Sequence, residues 1–238
     1  MFSYDAAILA ALQNEPQTIP DVMQAMQTID RLCVDEDGLK WFNGLYLGVT
    51  QAVESRVNAG GFTDSTWLAQ LDVQFSGLYF GALRCSLSNQ PCPSCWAAMF
   101  SARDKLQIAR IQFALAGMNA HINHDLCQAV DLTCKATNTV PQHGTSQYND
   151  YTSINPVLDG LIDQAKETLG VRLAGDALPA VSHLENLIAA WDLGAARENA
   201  WLNAEQLWNL PPLLRTGLMD TIDGFTTVIG KGLLVPVP

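Results

Sequence analysis

The stretch Phe113-Ala-Leu-Ala-Gly-Met-Asn-Ala-His-Ile-Asn-His-Asp-Leu126 constrains this fold more than any other. It lies in a predicted helix over about 105–130. There Ile108, Ile111, Leu115, Met118, Ile122 and Leu126 recur at steps of three and four, the spacing of an apolar helix face. The remaining faces are not those of a surface helix. Ala114, Ala116, Gly117 and Ala120 are small, so neighbouring helices can approach closely from several sides. A helix that is apolar or small nearly all round is a central, buried one. Yet this one carries Asn119, His121, Asn123, His124 and Asp125. On an α-helical wheel His121 and Asp125 share one border of the apolar stripe, and Asn119 and Asn123 the other, with His124 turned away from His121. Buried polar groups are costly unless paired, so these residues require partners or a ligand.

The rest of the chain reads as helices packed around that one. Short helical patterns at 5–13 and 21–33 start at Asp5 and Asp21, and longer ones follow at 39–57 and 66–83, the latter capped by Asp64 or Ser65. Further patterns cover Pro156–Leu169, Pro179–Leu210 and Leu213–Leu234. No alternating strand pattern extends beyond a few residues. The expected fold is an all-α, single-domain bundle over 1–238 around the buried helix at about 105–130. The longest aperiodic segment, 135–156, contains His143, Tyr148, Asp150, Tyr151 and Asn155 and is expected to be a loop lying as a lid over the polar side of the central helix.

Composition narrows the function classes. The chain has 238 residues, 48% of them hydrophobic, with 13 basic against 24 acidic residues and a net charge of −11. Without a Lys/Arg cluster, neither phosphate-driven nucleic-acid binding nor docking on an anionic membrane is expected. No apolar run approaches the ~18 residues that span a bilayer, and Met-Phe-Ser-Tyr-Asp lacks the features of a signal peptide. The expectation is a soluble cytoplasmic protein with a small-molecule ligand. Of six cysteines, Cys85, Cys92 and Cys95 lie in one Pro/Ser/Asn-rich loop. No second paired half follows to make a zinc signature, so reduced structural thiols, dispensable for activity, are the reading.

Two more helices break their own apolar pattern. Asp72 falls on the face of Leu68, Phe75 and Tyr79, and Glu198 on that of Leu184, Leu187, Trp191 and Leu202. Bundle proteins build sites this way, from inward side chains on facing helices. The expected site joins His121, Asp125, Asp72 and Glu198 as catalytic groups. Asn119, Asn123, Tyr46, Tyr79, Tyr148, Tyr151, Arg197 and Trp201 are expected around the substrate.

Asp37-Gly-Leu-Lys-Trp-Phe-Asn-Gly-Leu-Tyr-Leu-Gly-Val-Thr50, Leu71-Asp-Val-Gln-Phe75, the Phe113–Leu126 block and Ala196-Arg-Glu-Asn-Ala-Trp201 together resemble an uncharacterised bacterial family, a domain of unknown function. The resemblance implies an all-helical fold of this length and no established activity. Its pattern often places Pro after the central block, where this chain has Cys127.

Two functions fit these residues. The first is an enzyme with an interior pocket for a small, largely apolar metabolite. One form is a hydrolase with a divalent metal on His121 and Asp125, completed by Asp72, Glu198, His143 or Asp150. The other is a metal-free isomerase or cyclase of secondary metabolism with His121, oriented by Asp125, as general acid or base. Scarce Lys and Arg argue against a diphosphate substrate. The second function is a binding or structural protein whose buried network fixes helix packing.

Overall fold

A computed structural model describes residues 2–161, 163 and 192–236. Helices α1 (Asp5–Ala11), α2 (Ile19–Leu32), α3 (Gly38–Asn58), α4 (Ser65–Leu87) and α5 (Ser94–Phe100) come first. Next, α6 (Arg110–Ala120), a π-helical turn (His121–Asp125) and α7 (Leu126–Thr137) form one unbroken rod. Then come α8 (Ser146–Thr152), helical residues 155–161, α9 (Leu193–Asn209) and α10 (Pro212–Leu233). The fold is all-α, with no strand among the described residues. None of their helices is long and apolar enough to cross a membrane.

Local chemistry sets the helix starts. Thr18 opens α2 in a capping box with Asp21, one turn before the expected cap, because Pro20 in the first turn has no N–H to leave unsatisfied. Asp37 and Asp64 cap α3 and α4, accepting the N–H of Leu39 at 2.9 Å and of Trp67 at 3.0 Å. Asp192 caps α9 through the Ala195 N–H. The predicted helix over 179–210 is therefore seen from Leu193, and Leu184, Leu187 and Trp191 lie outside the described residues.

The rod starts later than expected, at Arg110, and runs on to Thr137, where Asn138 in the left-handed conformation (φ 54°) ends it. Every residue from Ile111 to Ala120 is buried, as a central helix requires. Helices α3, α5 and α10 pack on α6, while α4 and α9 pack on α7. At the crossing with α3, Gly117 takes the ring of Phe42: a Cβ there would stand 2.3 Å from Phe42 Cγ. Gly117→Ala is expected to destabilise the protein by about 1–3 kcal/mol, the usual range for overpacking a core, despite the helix propensity of alanine. Urea denaturation checks this, and an unchanged midpoint would show that α3 and α6 are not interlocked there.

A buried ion cluster fixes the start of α3. Arg103 donates from Nε to Asp37 Oδ1 at 2.8 Å, pairs with Asp37 through Nη2 and lies 3.0 Å from Asp5. Sequence patterning missed it because Arg103 lies in an aperiodic turn.

Candidate functional site

The π-helical turn is the five residues His-Ile-Asn-His-Asp, closed by the Leu126 N–H reaching back to the His121 carbonyl. Each extra residue in a turn rotates everything after it by about 100° against an uninterrupted α-helix. The two histidines of the turn meet opposite oxygens of Asp125. His121 Nδ1 lies 3.1 Å from Asp125 Oδ2, and His124 Nδ1 lies 2.7 Å from Asp125 Oδ1. Trp96 Nε1 donates to Asp125 Oδ2 at 2.9 Å. A carboxylate only accepts, so both histidines carry their proton on Nδ1. Burial pushes the Asp125 carboxyl up, but the hydrogen bonds from His121 and His124 outweigh it and hold the group below its ordinary value.

The oxygens of Asp125 accept from three N–H donors, and Nδ1 of His121 is taken by Asp125. What it leaves free is His121 Nε2, which is buried without any hydrogen-bond partner. Burial lowers the His121 pKa more than Asp125 raises it, so the ring is neutral at pH 7.

Aromatic rings fix that imidazole in place. Phe75 stacks on it at 3.4 Å between centroids and 6° between planes, and Tyr46 meets it at 4.4 Å. Phe42, Trp96 and Tyr79 close the box at 5.7, 5.9 and 6.2 Å. His121 lines a cavity of about 50 Å³ with Phe42, Tyr46, Phe75, Met118 and Arg197. A second cavity, of about 40 Å³, shares Tyr46, Val49, Phe75, Leu158 and Arg197 with the first and adds Asp72. Asp72 is 7% exposed and its Oδ2 has no partner. Burial, with a smaller push from Glu54, raises its pKa from 3.8 to about 7. Arg197 also faces these cavities, 6% exposed. Its Nε donates to Asn155 Oδ1 and its Nη2 to the Tyr151 carbonyl, both at 2.7 Å, while its guanidinium lies 4.1 Å over the Tyr151 ring. No carboxylate among the described residues forms an ion pair with it. Larger hollows beside Trp41 and Arg110 (about 230 Å³) and along Trp208 and Arg215 (about 630 Å³) contain no unpartnered buried polar atom.

Several expected site residues lie elsewhere. Glu198 belongs to a half-exposed cluster: His143 Nε2 reaches Glu198 at 2.7 Å, His143 Nδ1 reaches Glu205 at 2.7 Å, and the Tyr148 hydroxyl donates to Glu198 at 2.8 Å. Hydrogen bonds accepted by Glu198 and then Glu205 raise the His143 pKa against slight burial, and its ring nitrogens are both engaged. Glu198 fits the apolar pattern of its helix yet is turned outward to this partner, which an isolated helical wheel does not show. Trp201 packs in the core and donates to Glu205. Asn119 and Asn123 bond each other, and Asn119 donates to the Thr226 carbonyl of α10, so they fasten two helices instead of facing the cavity. Tyr151 supports Arg197 from behind, its hydroxyl donating to the Arg197 carbonyl. Asp150 accepts the N–H groups of Thr63 and Asp64, and of the 135–156 segment only Ile154 lines either cavity, with Leu158 just beyond it. The sequence reading missed Trp96 as a ligand of Asp125 and Phe75 as the stacking partner of His121. Trp96 sits on a short helix beyond an irregular loop, and Phe75 falls on the apolar face of its helix, where the pattern reads as core.

A helical fold that encloses an Asp-anchored histidine in an aromatic box defines the class. Within it, the chain belongs to a family of unknown function (DUF5995), whose model matches residues 19–236. Comparison with curated proteins and with solved structures gave no match.

Proposed function

We propose that the protein is an acid/base enzyme that moves a proton on a small, largely apolar carbonyl compound, in an isomerisation or cyclisation. The observation that carries this reading is the buried, unpartnered Nε2 of His121, a neutral imidazole nitrogen whose proton is held on the other side by Asp125. A free lone pair in an apolar cavity is what a general base requires. Asp72 supplies the complementary group. With a pKa near 7 it is partly protonated at neutral pH and can donate to a developing oxyanion, and Arg197 can stabilise the same charge.

The cavities total far less than the ~300 Å³ at which ordinary ligand pockets begin. The substrate therefore has few heavy atoms, or Leu158 and Leu193, which border the first cavity, move to admit it. A second reading, a purely structural network, is favoured by one observation: Asp125 is fully satisfied by protein donors.

Solvent exchange separates the two without a known product. The full chain is incubated in D2O with a panel of small cyclic and branched ketones, and loss of the proton signal at the carbon beside the carbonyl is followed by NMR. Catalysed exchange that falls by about 100-fold or more in His121→Gln supports the enzyme. No exchange with any ketone, together with strong destabilisation in His121→Gln, would leave the structural network.

A further inference from the structure

The carboxylate that orients His121 orients a second histidine as well, and that second ring faces different chemistry. Cys95 in the first turn of α5, His124 in the π-helical turn and Asp223 on α10 bring one sulfur, one ring nitrogen and one carboxylate oxygen within 4.8 Å of one another. Cys95 is 2% and His124 6% exposed. Nδ1 of His124 is taken by Asp125 at 2.7 Å, so Nε2 is the ring nitrogen left to bind a cation. A buried imidazole with one nitrogen fixed by a carboxylate is the arrangement of a metal-ligating histidine. Asp223 is held in turn by the backbone N–H groups of Ser94 and Cys95, each at 2.9 Å, so the helix start that presents the thiol also fixes the carboxylate.

We propose that Cys95, His124 and Asp223 bind a zinc-class divalent cation with three protein ligands and one position left open. The donor set is thiolate, imidazole and carboxylate, which suits a borderline-soft ion and not magnesium or calcium. Around a tetrahedral ion with bonds of 2.0–2.3 Å, ligand atoms stand roughly 3.3–3.8 Å apart. Side-chain adjustment of about 1 Å closes the cluster to that size. Binding releases the thiol proton, so it strengthens as pH rises. The site is separate from the proton-transfer chemistry proposed for His121, and either can fail without the other. It also separates Cys95 from Cys85, in the last turn of α4, and from Cys92, between α4 and α5, which both lie outside the cluster.

The test is cobalt(II) titration of the full chain after treatment with a chelator, read by absorption. One equivalent should give a thiolate-to-cobalt charge-transfer band with intense visible transitions of a tetrahedral ion, and zinc should displace it. Cys95→Ser should abolish the charge-transfer band, while Cys85→Ser and Cys92→Ser keep it. Asp125→Asn gives a sharper check. Trp96 can only donate, so the amide oxygen must stay on its side and the amide NH2 faces His124. His124 then has to accept on Nδ1 and carry its proton on Nε2, so cobalt affinity should fall by about 100-fold, the upper end for a lost supporting carboxylate. Circular dichroism of each variant controls for folding. Absence of a one-equivalent band, or a band that survives Cys95→Ser and is lost in Cys85→Ser or Cys92→Ser, would overturn the site.

Discussion

Asp72→Asn is expected to make the protein more stable at pH 8 while removing its activity. The carboxyl is buried, unpartnered and raised from 3.8 to about 7. For an acid raised in the folded state, folding binds a proton between the two pKa values. Its contribution to stability therefore declines as pH climbs from about 4 to about 7 and is level above. That decline amounts to about 4 kcal/mol. The asparagine is neutral throughout but still leaves a buried amide short of partners, so a net gain of about 2–3 kcal/mol is expected at pH 8, fading towards pH 4. Urea midpoints at the two pH values measure it. A variant less stable than the wild type at pH 8 would show that Asp72 has a favourable partner and is no free acid.

Asp125→Ala should have the opposite effect on stability. Trp96 and both histidines would lose their acceptor inside the core, and each buried, unsatisfied donor costs about 1–3 kcal/mol. A loss of about 3–5 kcal/mol is expected, the range seen when one partner of a buried charged network is removed. Asp125→Asn should lose markedly less, because its amide oxygen can still serve Trp96 and His121. Equal losses in the two variants would mean that packing volume, not the three hydrogen bonds, is what Asp125 contributes.

The helical class and the central helix were legible because periodicity is a local property. Ile111, Leu115 and Met118 mark the face that meets its neighbours, and Gly117 marks the close approach of Phe42. The pairing of His121 with Asp125 and the oddity of Asp72 were legible for the same reason: each breaks the pattern of its own helix. What the sequence did not disclose depends on how helices meet. The π-helical turn changes the register after His121, and nothing in His-Ile-Asn-His-Asp announces an extra residue in the turn. Trp96 and Asp223 reach the same turn from distant segments. Glu198 illustrates the converse, because an apolar-looking face was turned to His143 by the packing of α8 and α9.

The central claim is that His121 presents a bare Nε2 to the cavity. Nitrogen-15 NMR of the histidine rings at pH 7, assigned with His121→Gln, reads this directly. The account predicts a neutral ring with a pyrrole-like Nδ1 and a pyridine-like Nε2 for His121. An imidazolium, or a neutral ring protonated on Nε2, would contradict it.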